Sequence, residues 1–390
     1  MKRGVRRMTE VYLDNIATTL VDPKVVEAMM PFLGASFGNP SSLHRKGIGP
    51  RDAVERAREK VALLIGADRR EIVFTSGAAE ANNLAVKGTA WAAGDQGGRI
   101  AISAIERLSV LNSAKRLERQ GYTAAVIPVD GEGVVGPEDV ARAIADDTVL
   151  VSVNLANPEV GTIEPIREIA EITRRRDVPL HCDATAAAGW VPIDVKDMGI
   201  DLLTLSAQNF YGPKGTGALF VRRGLRVVPL VDGGPQEGGI RAGTENVAGI
   251  VGMGKAAEIA LSEMEAISRG LPPLRDTLID ELTNSVGGVV LTGPRENRLP
   301  GHASFCVKGV EGEALLTDLD GRGIAAASAS ACASVALKVS HVLEAMGIDA
   351  TLARGSLVFT LGRDTDASQV GNVLEAVKTS IKRLRDLSPV

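Results

Sequence analysis

Long apolar runs are absent from this 390-residue chain. None is long enough to cross a bilayer, and the N-terminus lacks the apolar core of a signal peptide, so a cytoplasmic location and no membrane partner are expected. Cysteine is scarce. Cys182, Cys306 and Cys332 are odd in number and widely spaced, which fits reduced thiols better than a disulfide framework. Surplus charge is lacking too: 44 basic residues against 48 acidic ones leave a formal net charge of -4, which argues against nucleic acid as the main partner. The basic start, Lys2, Arg3, Arg6 and Arg7, reads as a solvated tail. Internal repeats and low-complexity segments are missing as well.

What is present is ample apolar surface, 45% of residues, in a chain too long for one ordinary core, so two domains are expected. From Glu71 to Val221, short β-prone runs alternate with longer helix-like stretches. The runs are Ile72-Val73-Phe74, Ile100-Ala101-Ile102, Val149-Leu150-Val151, Leu180-His181-Cys182, Leu202-Leu203-Thr204 and Ala218-Leu219-Phe220. This is the rhythm of a mainly parallel sheet covered by helices. Such strands present ligands at their carboxyl ends, where Ser76-Gly77-Ala78, Asp183 and Ser206-Ala207-Gln208-Asn209 fall. Further on, Asn246 to Ile267 reads as a connecting helix. Strands follow near His302 to Val307 and Leu357 to Thr360, and the last helix spans about Gln369 to Leu387.

Ser76-Gly77-Ala78-Ala79 follows a strand and opens a helix, where free N–H groups favour an anion. A plain turn that needs glycine for its backbone is the alternative. Cys182 and Cys306 lie in strand-like runs, where burial as small hydrophobes is expected.

Several stretches occur in the order and spacing of a known family: Tyr12-Leu13-Asp14-Asn15-Ile16-Ala17-Thr18-Thr19, Gly38-Asn39-Pro40-Ser41-Ser42, Thr75-Ser76-Gly77-Ala78-Ala79-Glu80, His181-Cys182-Asp183-Ala184-Thr185 and Arg241-Ala242-Gly243-Thr244. From about Val11 onward the chain resembles the class V aminotransferases, specifically the NifS/IscS-type cysteine desulfurases. The resemblance implies an α/β fold-type I PLP-dependent transferase, with a mainly parallel seven-stranded sheet in a large domain (17–263) and a smaller α+β domain (1–16 and 264–390). It also implies a homodimer with sites built across the interface. By the same resemblance Gly77, Ala78 and Ala79 correspond to the turn that holds the cofactor phosphate. Asp183 corresponds to the partner of the pyridinium nitrogen, and Thr244 to a residue reaching the neighbouring subunit's phosphate. Cys332, in Ala327-Ser328-Ala329-Ser330-Ala331-Cys332-Ala333-Ser334, matches the S-x-S-A-C-x-S loop whose cysteine carries sulfur as a persulfide; its small neighbours suit a reachable thiol.

The chain also departs from the family's pattern. The lysine of S-G-H-K-x-x-G-P-K-G is replaced by Asn209 and the histidine before it by Gln208. An amide nitrogen is delocalised into its carbonyl and cannot condense with an aldehyde, so Asn209 cannot make the Schiff base. Lys214 is the motif's second lysine and no substitute. The ring-stacking histidine becomes Arg107, the asparagine of N-N-E-x-G becomes Pro158, the glutamine of D-A-T-Q becomes Ala186, and the phosphate-binding threonine becomes Ala79. The arginine that clamps the substrate carboxylate becomes Val358, so a two-pronged charged clamp gives way to an aliphatic group. Arg107 and Asp183 bracket the space of the cofactor ring in the family, and the guanidinium is expected to reach toward the carboxylate.

The expected function is thus that of a desulfurase-like protein without covalent PLP: sulfur relay through Cys332, or Cys332 as ligand of an iron–sulfur cluster, with a sulfur-acceptor or scaffold protein as partner. One alternative is an enzyme doing PLP-independent chemistry on another small molecule, with Arg107 and Asp183 as its working groups. The other is a non-covalent PLP binder using Ser206, Asp183 and Thr244.

Overall fold

The computed structural model describes residues 10–94, 97–329 and 339–387. Strand β1 (Val11–Tyr12) is followed by β2 (Ile72–Thr75), β3 (Gly98–Ser103), β4 (Tyr122–Ile127), β5 (Thr148–Ser152), β6 (Leu180–Asp183), β7 (Leu202–Ser206) and β8 (Gly217–Val221). Strands β2 to β8 form one seven-stranded sheet in the order β2-β8-β7-β6-β5-β3-β4. It is parallel except at β8, which runs antiparallel to both β2 and β7. Every residue of β2, β6, β7 and β8 is buried, as helices on both faces of a parallel sheet require. Strand β4 lies at the edge, and only its end residues Tyr122 and Ile127 are buried. Pairing by β8 explains how a strand outside the parallel run still closes against the first one.

Two further sheets complete the fold. Strands β9 (Val289–Leu291), β10 (His302–Val307) and β12 (Ser356–Thr360) form an antiparallel sheet with β10 central, while β11 (Ile324–Ala325) pairs in parallel with β1. The chain's first strand is thereby held beside its last third.

One 39-residue helix, Val247–Ser285, packs against the turn Ala207–Asn209 that follows β7 and against β9 and β10 of the three-stranded sheet. At about 1.5 Å per residue it is roughly 58 Å long. It extends 18 residues beyond the expected end at Ile267, through Pro272 and Pro273. Those prolines cannot donate to the carbonyls one turn back, at Ser268 and Arg269. Both of these residues lie off the buried face, where a free carbonyl costs little. The boundary at 263/264 falls inside this continuous helix. Its crossing with the helix Arg45–Leu64 is close: a Cβ at Gly254 would stand 2.6 Å from the Cα of Ala57.

Candidate functional site

The carboxyl ends of β2, β3, β5, β6 and β7 carry the polar residues of interest. After β2, Gly77 adopts φ 149° and ψ -178°, a backbone open to glycine and strained for other residues. The helix that follows starts at Ala78. In this turn the Ser76 N–H donates to Glu80 Oε2 at 2.8 Å, and Arg241 Nε stands 2.9 Å from Glu80 Oε1. The chain's own carboxylate therefore takes one N–H of the turn, leaving Gly77, Ala78 and Ala79 on its rim.

After β7, the turn Ala207–Asn209 is fixed by the N-terminal segment that crosses it. Asn209 is 2% exposed; its Nδ2 donates to the Ile16 carbonyl at 2.7 Å, and its carbonyl accepts from Trp190 Nε1 at 2.9 Å. Gln208 Nε2 donates to the Ala17 carbonyl at 3.1 Å, and Thr19 Oγ1 donates to the Gln208 carbonyl at 2.9 Å. Ser206 is buried at the end of β7, and Thr244 is exposed in the loop before the long helix. Lys214 is likewise exposed.

Asp183, at the end of β6 and 1% exposed, is the electrostatic centre. A buried carboxylate needs partners, and it has three. Its Oδ1 accepts from the Thr185 N–H at 2.8 Å, and its Oδ2 accepts from Asn82 Nδ2 at 2.7 Å. Arg107 Nε stands 3.7 Å from the same Oδ2. The ion pair expected from the sequence is present. Arg107 precedes the helix Leu108–Glu118, and its side chain keeps 28% exposure, so it borders solvent on one side and the carboxylate on the other.

Behind this pair lies a buried hydrogen-bonded chain. Ser152 Oγ donates to Glu106 Oε1 at 2.9 Å, Ser152 Oγ lies 2.8 Å from His181 Nδ1, and His181 Nε2 lies 3.1 Å from Thr204 Oγ1. Burial and the nearby Asp183 charge push the Glu106 carboxyl up to about 8, whereas burial pushes His181 down to about 4. Both groups are therefore uncharged near neutral pH. Burial also raises Glu159 to about 7, against the opposing pull of its Ser340 hydrogen bond and the Arg107 charge. His341 Nε2 donates to the Glu106 carbonyl at 2.9 Å.

Pro158 and Val358 sit within regular packing. Asn157 Oδ1 accepts from the N–H groups of Glu159 and Val160, so the turn forms without any donor from Pro158. Val358 is buried in β12 and exchanges both backbone bonds with Ala327. Cys182 and Cys306 are buried, their thiols pushed up by desolvation, Cys306 to about 12. Such thiols are poor nucleophiles. Cys332 lies outside the described residues. Among the described residues no group of three or more His, Cys, Asp or Glu side chains is placed to hold a metal ion.

Sequence reasoning singled out Arg107 and Asp183 but missed Asn82, Ser152, His181, Glu159 and Thr185 as neighbours of that pair. Asn82 carried a signal: an amide inside an alanine-rich helix start is unfavourable unless its side chain has a use elsewhere.

This architecture, with ligand-facing turns at the ends of a mainly parallel seven-stranded sheet, has known counterparts. Residues 11–370 match the aminotransferase class-V family model, and the chain belongs to that family. Within it, the chain is similar along its length to proteins named cysteine desulfurase IscS. The one from Dictyoglomus turgidum is 47% identical over 380 residues, covering 97% of this chain and 96% of the relative. That from Methanosarcina thermophila is 46% identical over 380 residues, covering 97% and 94%. Among solved structures, a NifS-like protein superimposes with a TM-score of 0.90 at 35% identity, covering 96% of this chain and 100% of its own. The apo cysteine desulfurase from Thermococcus onnurineus NA1 does so with a TM-score of 0.86 at 26% identity, covering 96% and 95%. The chain thus has the fold-type I architecture of the NifS/IscS cysteine desulfurases. No helix among the described residues is long and apolar enough to cross a membrane.

Proposed function

We propose that this chain is a desulfurase-like sulfur-transfer protein that carries sulfur on Cys332 and forms no Schiff base with PLP. Its full-length similarity to proteins named cysteine desulfurase supports the sulfur role. The observation that carries the second clause is the state of the pocket's own polar groups. The amide of Asn209 is committed to the Ile16 carbonyl, and Asp183 already faces Asn82, Thr185 and Arg107.

These side chains do not fit a covalently held PLP. Position 209 offers no amine, and no lysine among the described residues is buried. The guanidinium of Arg107 supplies Asp183 with the cation that a pyridinium would bring.

In the proposed relay, the Cys332 thiolate attacks the outer sulfur of a donor persulfide, the donor's S–S bond breaks, and the donor leaves as thiolate. An acceptor or scaffold thiolate then takes the same sulfur, so no external oxidant is consumed. A homodimer in the cytoplasm is the setting for this reading. Exposed apolar side chains along one N-terminal stretch, Val26, Met30, Leu33, Phe37 and Leu43, support a subunit contact there.

The test has two readings. Protein treated with a small-molecule persulfide should gain one sulfur atom by intact mass, and Cys332→Ser should gain none. Protein mixed with PLP and passed through gel filtration should emerge without a PLP absorption band. A retained band with turnover of cysteine would overturn the reading. So would equal sulfur loading of wild type and Cys332→Ser.

A further inference from the structure

The end of the seven-stranded sheet opposite the candidate site carries a cavity of about 430 Å³, a size suited to a small molecule. It opens where β6 and β7 begin and β8 ends, beside the last turn of the helix Ile166–Arg175. Pro179 precedes β6 and Asp183 closes it, so the length of that strand, roughly 13 Å, separates the two places.

Accounting for the charges in the lining leaves one of each sign. Asp201 Oδ2 accepts from the Leu180 N–H at 2.8 Å, and its Oδ1 accepts from Arg222 Nε. Glu71 accepts from the N–H groups of Asp68 and Arg223. Lys196 serves Asp68, whose carboxyl is held below the usual range by the Arg70 N–H and by the Arg70 and Lys196 charges. Arg174 and Asp177 remain. Both line the cavity, both are exposed, and neither side chain has a hydrogen bond or ion pair among the described residues.

Local structure accounts for neither charge. Asp177 takes φ 54° just past the helix, where its N–H donates to the Arg174 carbonyl at 3.2 Å and the Val178 N–H donates to the Thr173 carbonyl at 3.0 Å. Glycine or asparagine is usual at that position, and a carboxylate there faces the negative end of the helix dipole. A residue that goes against two local preferences and gains no partner marks a place shaped by function. Of the three arginines before it, Arg175 pairs with Glu171 and only Arg174 lines the cavity. Arg174 Nη2 lies over Gly199, 2.5 Å from where a Cβ would stand, so bare backbone at 199 admits the guanidinium. Three residues apart at one helix end, the two charges lie within reach of one small molecule. They are not joined to each other.

We propose that this cavity binds a free α-amino acid with an apolar side chain, its carboxylate on Arg174, its ammonium on Asp177 and its side chain against Val178, Pro179 and Leu225, which also line the cavity. A zwitterion matches both charges, whereas a simple anion leaves Asp177 unmatched and a simple amine leaves Arg174 so. The inference goes beyond sulfur transfer and uses no residue of that reading.

L-Leucine is the probe, in a saturation-transfer NMR titration of the full chain at low ionic strength, where exposed charges are least screened. A molecule of that size held by two exposed ion pairs should bind with a Kd of about 1 mM. 4-Methylpentanoate lacks the ammonium and 3-methylbutylamine lacks the carboxylate, so each should bind about fivefold more weakly. Arg174→Gln and Asp177→Asn should each weaken L-leucine about fivefold. Neither should lower Tm, since neither side chain has a partner to lose and asparagine suits the left-handed position. Cys332→Ser should bind as wild type does, which separates this site from the sulfur reading. Absence of saturable L-leucine binding overturns the proposal, as does binding unchanged in both site variants. Equal binding of 4-methylpentanoate or 3-methylbutylamine reduces the site to a single charge and overturns it as well.

Discussion

Replacing Arg107 by methionine tests the electrostatic centre of the site. At a separation of 3.7 Å and an effective dielectric constant of about 20, the gross attraction of Arg107 for Asp183 is about 4–5 kcal/mol. Much of it is offset. The guanidinium gives up solvation to stand there, and Asp183 keeps its bonds from Asn82 and Thr185 after the change. A net loss of about 2 kcal/mol is expected for Arg107→Met. For a chain of 390 residues, the usual unfolding entropy makes this a fall in Tm of about 2–3 °C. The same substitution in an Asp183→Asn background removes a cation that no longer faces a charge, so its cost should shrink by about 1–2 kcal/mol. Thermal unfolding of the four proteins at one pH and salt concentration completes the cycle. An Arg107→Met penalty of equal size in both backgrounds would refute the pairing and leave Arg107 as a packing residue.

The pH dependence follows from the buried glutamates. Glu106 and Glu164 titrate near 8 and Glu159 near 7 in the folded chain, all pushed up by burial. Above pH 4.5 the folded state therefore binds more protons than the unfolded one, and these groups lower stability as pH rises through 7 to 8. His181 and His302, depressed to about 4 and about 3 by burial, act oppositely but only below about 6.5. Tm should thus decline from pH 6.5 to pH 8, and Glu164→Gln should remove on the order of 1 kcal/mol of that decline. Gly254→Val should cost about 1–3 kcal/mol in chemical denaturation, because the added Cβ meets the backbone of Ala57 at 2.6 Å. Trp190→Phe leaves the Asn209 carbonyl without its donor and should cost about 1–2 kcal/mol, again read by denaturation.

The strands that could be read from the sequence are those buried on both faces. β2, β3 and β5 to β8 each contain one of the short β-prone runs, and each strand extends one to three residues beyond its run. β4 was missed because its centre is Ala124-Ala125 and its Val126 is 61% exposed; an edge strand has one neighbour and needs less apolar surface. The long helix runs on past Ile267, the end expected from the sequence, through Pro272 and Pro273. Their missing donors fall opposite carbonyls on the outer side, and burial of Leu271, Arg275 and Leu278 on the inner side carries the helix through.

The site divides along the same physical line. Arg107 and Asp183 could be matched in advance because opposite charges bordering one space must find each other or be expelled from it. The roles of Glu106, Asn154 and Thr185 depend instead on β5 lying between β3 and β6, a matter of strand order that no local pattern states. Once that order is known, the retained polarity needs its own explanation. Asn82 pairs the buried Asp183 carboxylate and Asn154 pairs the Ile105 carbonyl, so an apolar side chain at either position would leave a buried acceptor short of a partner at a cost of about 1–3 kcal/mol.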